Sequence, residues 1–249
     1  MNAFRWAIPI ILCTGSSALG ALIVIGGERN ASAFISRLHP NGQRIHDQQV
    51  QFNEGMTGIF EAEAIATLPQ IGGDAEEWSS HFSNVQPNRV TVEIEHQFRN
   101  TGQPEPYTGT TGSSGSGFVF EFGLTQTETW QLDVILDPQG YSSRWQLFEL
   151  FRQQDDGGAS VSLAHADTIL STELQEFHGL VTLVPGNYLM YMYLLETDHH
   201  FGFAPDQPAT PVFTMTLDFE QVAVPEPSAI SVAAIAAIWG GVRHRRFRE

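Results

Sequence analysis

Val90-Thr91-Val92-Glu93-Ile94-Glu95-His96-Gln97-Phe98 decides the fold. Val90, Val92, Ile94 and Phe98 fall on one side of an extended chain, and Thr91, Glu93, Glu95 and Gln97 fall on the other. A strand turns successive side chains to opposite faces, so this stretch reads as one β-strand with a core face and a water face. The same alternation marks 49–52, 59–65, 118–122, 130–136, 160–164 and 212–219 as strands. Between about residues 31 and 220, Gly, Pro, Asn or Asp punctuate the chain every ten residues or so, the rhythm of an antiparallel β fold.

Turn chemistry fits hairpins at Asp137-Pro138-Gln139-Gly140, at Asp155-Asp156-Gly157-Gly158, and at Pro185-Gly186-Asn187 between strands 180–184 and 188–194. The last of these strands, Tyr188-Leu189-Met190-Tyr191-Met192-Tyr193-Leu194, is apolar on both faces and belongs in the middle of a sheet. Residues 61–68 and 74–82 also fit short helices, and 144–153 fits either a helix or the strand we favour. The stretch 107–117 is small, polar and uncharged, which reads as a flexible surface loop. The expectation is an all-β chain, an antiparallel β-sandwich of jelly-roll type, with one exported body at 21–222.

The chain has 249 residues and a formal charge of −16, with no lysine. The acidity is concentrated in the body, where residues 21–224 hold seven arginines against twenty-six acidic residues, about −19. Such a surface repels nucleic-acid phosphates, so no nucleic-acid partner is expected. The one cysteine, Cys13, lies in the amino-terminal apolar run.

Arg5, the apolar run Trp6 to Leu12 and the small residues Ser16, Ser17, Ala18 and Gly20 follow the order of a secretory signal peptide. Residues 1–20 are read as that signal, cut between Gly20 and Ala21; Ala31-Ser32-Ala33 is a second candidate site. General secretion machinery and signal peptidase are the implied partners.

No catalytic motif is evident, so the chain is read as a non-enzyme that needs no cofactor. Asp198, His199 and His200 combine imidazole and carboxylate ligand types, yet neighbours on an extended chain point apart, so no metal is expected. His165 and Asp167 could share a face. The glutamate pairs Glu61 with Glu63 and Glu93 with Glu95 share strand faces, as the paired acids of glycoside hydrolysis would. Outward-facing glutamate on an alternating strand is ordinary surface. Trp78, Trp130 and Trp145 are candidates for stacking on sugar rings or for the core.

At the carboxyl end, Val224-Pro225-Glu226-Pro227 leads into the uncharged stretch 229–242 and then Arg243, Arg245, Arg246 and Arg248. Prolines end a strand, an apolar stretch enters lipid, and clustered arginines stay cytoplasmic. Fourteen residues of helix reach only about 21 Å, short of the roughly 30 Å hydrocarbon core.

This tail resembles the PEP-CTERM sorting signal of exported Gram-negative bacterial proteins. The resemblance covers residues 223–249. It implies that Val224, Pro225, Glu226 and Pro227 are the recognition element, that a single short transmembrane helix is a temporary anchor, and that the arginines are the cytoplasmic stop. It further implies processing by an exosortase in an organism that makes exopolysaccharide. The internal Pro104-Glu105-Pro106 lacks that context. The expected destination is the inner membrane transiently, then the cell surface or extracellular matrix, in a structural or adhesive role associated with exopolysaccharide. A secreted carbohydrate-binding module or a glycan-active hydrolase is the alternative.

Overall fold

A computed structural model describes residues 21–38, 43–70, 73–100, 110–139, 144–154, 160–168, 173–196 and 212–222. These fall in one compact unit, Gly20–Val222. Every element among them is a strand: β1 (Ile23–Leu38), β2 (Arg44–Asn53), β3 (Gly58–Gln70), β4 (Gly73–Gln86), β5 (Arg89–Asn100), β6 (Thr110–Leu124), β7 (Glu128–Asp137), β8 (Arg144–Arg152), β9 (Val161–Asp167), β10 (Gln175–Leu183), β11 (Gly186–Glu196) and β12 (Phe213–Gln221). The described residues are all-β, and their strands form two six-stranded antiparallel sheets. One has the order β2-β1-β6-β11-β8-β9; the other has the order β10-β7-β12-β5-β4-β3.

The alternation that opened the sequence reading sets the core. Val90, Val92 and Ile94 of β5 are buried with Trp130, Leu132 and Val134 of β7 and Leu217 and Phe219 of β12 in the second sheet. Phe118, Phe120 and Phe122 of β6 and Met190 and Met192 of β11 join the same cluster from the first. Phe122 meets Phe219 across the sheets with ring centroids 5.9 Å apart. A smaller cluster is built from Ala31, Ala33 and Ile35 of β1, Ala62, Ala64 and Ala66 of β3, and Phe98 of β5, where alanines allow close approach.

Polar side chains also face inward. Ser79 on β4 bonds both Ser116 on β6 (2.6 Å) and His96 on β5 (3.1 Å). His81 is buried, and its Nδ1–H donates to the Asn30 carbonyl at 3.0 Å. Arg29 is buried too, donating to the carbonyls of Gly58 and Gly55 and lying 5.2 Å from the centre of the Phe60 ring. Burial lowers its pKa, because a low-dielectric setting disfavours the charged form.

Three expectations change. The stretch read as a loop at 107–117 supplies the first half of β6 from Thr110 onward, paired with β1 on one side and β11 on the other. Its small residues are what the site requires: a Cβ on Gly117 would lie 2.7 Å from Tyr193 Cε1, so the tyrosine lies over bare backbone. The turn 185–187 does not close a hairpin, because β10 pairs with β7 while β11 pairs with β6 and β8 in the other sheet. The turn at 137–140 likewise carries the chain from β7 in one sheet to β8 in the other. Finally, 61–68 and 74–82 are the strands β3 and β4. The favoured strand at 144–152 is β8, which pairs antiparallel with β9, the next strand along the chain; residues 155–158 lie outside the described residues.

Candidate functional site

The outward face of β3, β4 and β5 carries the densest arrangement of chemically able side chains. The pairing register sets Glu61 beside Phe82 and Phe82 beside Glu93, then Glu63 beside Ser80 and Ser80 beside Glu95. The next row is Ile65, Trp78 and Gln97. Together with Gln51 from β2 and Trp78 of the third row, the first two rows line an open groove of about 530 Å³. Trp78 is half-buried, and its indole N–H donates to the Glu63 carboxylate. Phe82 and Ile65 keep more than a third of their surface in water, at 37% and 38%.

The carboxylates do not share one environment. Burial holds the Glu95 carboxyl above its usual range, the Glu93 charge adds to this, and a Ser80 hydrogen bond opposes both. At one end Arg99 pairs with Glu76 at 3.3 Å.

A second groove of about 500 Å³ adjoins the first and shares Phe82 and Glu93 with it. Its walls include Thr91, Thr216, Asp218, Ile135, Asp133 and His178, which carries the surface across β12 and β7 to β10. His178 bonds Asp133 at 2.9 Å. Asp133 raises the His178 pKa, and His178 in turn lowers that of Asp133. The two grooves form one trough crossing six strands, about 24 Å at 4.8 Å between strands. A surface of this shape, with flat aromatic side chains among hydrogen-bonding ones, suits an extended chain of sugar rings.

The sequence candidates sort clearly against this geometry. Glu61, Glu63, Glu93, Glu95 and Trp78 come together in one groove. Trp130 is fully buried and stacks on Phe219 at 4.5 Å, so it is a core residue. His165 and Asp167 do share a face, 2.6 Å apart, with Glu149 at 3.9 Å. Among the described residues no group of three His, Cys, Asp or Glu side chains has the arrangement of a metal site. Ala21 is exposed and Leu22 already buried. Gly20, Pro104-Glu105-Pro106, Asp198, His199, His200, Val224, Pro225, Glu226, Pro227, Arg243, Arg245, Arg246 and Arg248 lie outside the described residues, as does the side chain of Trp145.

Phe82, Ser80 and Gln51 were not singled out from sequence. Phe82 had a usable signal, since it lies at even spacing from Trp78, but that spacing counts only once 74–82 is known to be a strand. No protein-family profile matches the chain, and no curated protein matches it.

Proposed function

We propose that this chain is an exported cell-surface or matrix protein whose sandwich body binds exopolysaccharide through the trough on the outer face of β3, β4 and β5. The observation that carries the reading is Trp78, set on the trough floor and fixed by its hydrogen bond to Glu63. An indole held in one orientation loses little entropy when a sugar ring stacks on it. The acidic lining favours uncharged or amine-bearing sugars over acidic ones.

The jelly-roll reading is supported by strand order. β5-β12-β7-β10 in one sheet and β6-β11-β8-β9 in the other, with the chain changing sheets at each step from β5 to β12 except β8 to β9, follow that winding. β1 with β2 and β3 with β4 then widen each sheet at one side.

Export and sorting fit the limits of the body. Leu22 belongs to the core and its N–H bonds the Pro87 carbonyl, so a cut between Gly20 and the exposed Ala21 leaves the core intact. The alternative at Ala31-Ser32-Ala33 lies within β1, with both alanines buried, and cutting there would remove eleven of the 16 residues of that strand. β12 ends at Gln221, and Val222 still bonds the Thr129 carbonyl, three residues before Pro225. In this account Val224, Pro225, Glu226 and Pro227 are read by an exosortase and Arg243, Arg245, Arg246 and Arg248 hold the tail in the cytoplasm.

Two experiments test the two parts. A glycan array probed with wild type and Trp78→Ala should show neutral or amine-bearing ligands that the variant loses; an array with no ligand for wild type contradicts the binding role. Mass spectrometry of the mature protein should find neither Met1 nor Glu249, and an intact chain contradicts processing.

The groove also supports a second reading, glycan hydrolysis. Glu63 and Glu95 flank β4 from opposite sides, about 9.6 Å apart along the hydrogen-bond direction, near the spacing of an inverting pair. The raised pKa of Glu95 fits the acid role, with Glu63 as base. Release of reducing ends from a bound polysaccharide, absent in Glu95→Gln, would separate hydrolysis from binding alone.

A further inference from the structure

The two sheets have four edge strands: β2, β9, β3 and β10. An exposed edge presents unpaired backbone groups and invites another strand, so each must be covered or blunted. β3 is covered by side chains of β2. Asp47 accepts from the Thr67 N–H at 2.8 Å, Gln49 accepts from the Ile65 N–H at 2.6 Å, and the Gln51 amide donates to the Glu63 carbonyl. These three residues alternate along β2, so one ladder closes β2 and β3 together. β9 is short, seven residues, and its pairing with β8 is broken by a register shift at Leu150/Phe151. A bulge of that kind twists an edge away from partners.

Among the described residues, β10 has none of these devices. It runs nine residues in unbroken register against β7, contains no proline, and bears a single acid, Glu176, in a chain of net charge −16. Its outward face carries Glu176, His178 and Leu180, with Leu174 just before it on the same side; Leu174 and Leu180 are 50% and 65% exposed.

We propose that β10 is a self-association edge, joining antiparallel to β10 of a second copy about a twofold axis at Phe177. A twofold pairing places residue i opposite the residue equally far beyond the axis. With the axis at Phe177, Leu174 meets Leu180 of the second copy and Glu176 meets His178 of the second copy, and each pair occurs twice. Apolar faces apolar, and acid faces base, on one face of a continuous sheet. Centring the axis on His178 sets Glu176 against Leu180 and His178 against itself; centring it on Gly179 sets His178 against Leu180 and leaves Leu174 without a leucine. The register at Phe177 thus follows from the side chains. The product is a twelve-stranded sheet whose outer face joins the troughs of two copies end to end, because the second groove reaches His178.

Sedimentation equilibrium of the purified chain, at about pH 6 where imidazoles gain charge, tests this. Wild type should dimerise. His178→Glu sets glutamate against glutamate in both charged pairs and should weaken dimerisation about thirtyfold. The doubly substituted E176R/H178E restores opposite charge across the axis and should recover dimerisation. Both positions are solvent-facing, and circular dichroism melting verifies that each variant folds. A monomeric wild type, a His178→Glu variant that dimerises as wild type does, or a double variant that stays monomeric would each overturn the proposal.

Discussion

His81 should make the body lose stability between pH 6.5 and 4. The ring is buried between the sheets, edge-on to Phe60 with centroids 5.1 Å apart. Its Nδ1–H is committed to the Asn30 carbonyl, and its Nε2 is buried with no hydrogen-bond partner. A proton on Nε2 would therefore be enclosed without an acceptor. Burial lowers the pKa from 6.5 to about 4; the Asn30 hydrogen bond opposes the change and the Arg29 charge reinforces it. Because the folded value is depressed, the unfolded chain takes up a proton below pH 6.5 that the folded chain refuses until about pH 4. Stability is full above pH 6.5 and falls as pH drops through that window. At about 1.4 kcal/mol per pKa unit, the loss by pH 4 is about 3 kcal/mol, a large share of a typical domain's stability. Urea unfolding at several pH values, on wild type and His81→Asn, isolates the effect. Asparagine does not titrate and retains an N–H for Asn30, and carboxylate contributions common to both proteins cancel in the difference. Wild type should lose about 3 kcal/mol more than the variant across the window. Parallel pH profiles, or a folded-state His81 that titrates by NMR near 6.5, would refute the reasoning.

Two further outcomes follow from named contacts and a third from the proposed sorting of the tail. Gly27 has φ +143° and an added Cβ would stand 2.0 Å from the Val119 carbonyl oxygen, so Gly27→Ala should cost more than about 3 kcal/mol in thermal or denaturant unfolding. Gln146 is fully buried and its amide donates to the carbonyls of Asp137 and Thr214, each at 3.1 Å, bridging the sheets; Gln146→Ala leaves both without that donor and should cost about 2 to 3 kcal/mol in the same assay. Replacing Arg243, Arg245, Arg246 and Arg248 by Gln should reduce retention in the membrane fraction, and unchanged fractionation would count against the stop role.

Strand positions were legible because one-sided burial writes an alternating pattern, and β5 and β7 carry it cleanly. That pattern records which residues face inward, not which sheet receives a strand, so the 185–187 turn read as a hairpin when it passes between sheets. β6 was half-hidden for a different reason: Thr110–Gly117 has no apolar side chains to alternate, and its strand state comes from pairing on both edges and from Tyr193 lying over Gly117. Ser79, His81 and Ser83 disguised β4, since three polar residues at its buried positions contradict the expected core face. The glutamate pairs and Trp78 could be picked out as candidates one strand at a time. Their meeting in one groove required the β3-β4-β5 register, which no local pattern specifies.

The most direct test of the account is affinity electrophoresis through gels containing purified neutral, amine-bearing or acidic polysaccharides. Wild type should be retarded by at least one neutral or amine-bearing polymer, and Trp78→Ala should lose that retardation while melting as wild type does, in keeping with the buried area and the further 0.5–1.5 kcal/mol or so that an aromatic stack supplies. Equal mobility of wild type in every gel, or undiminished retardation of Trp78→Ala, would contradict the central claim that the β3-β4-β5 trough binds glycan.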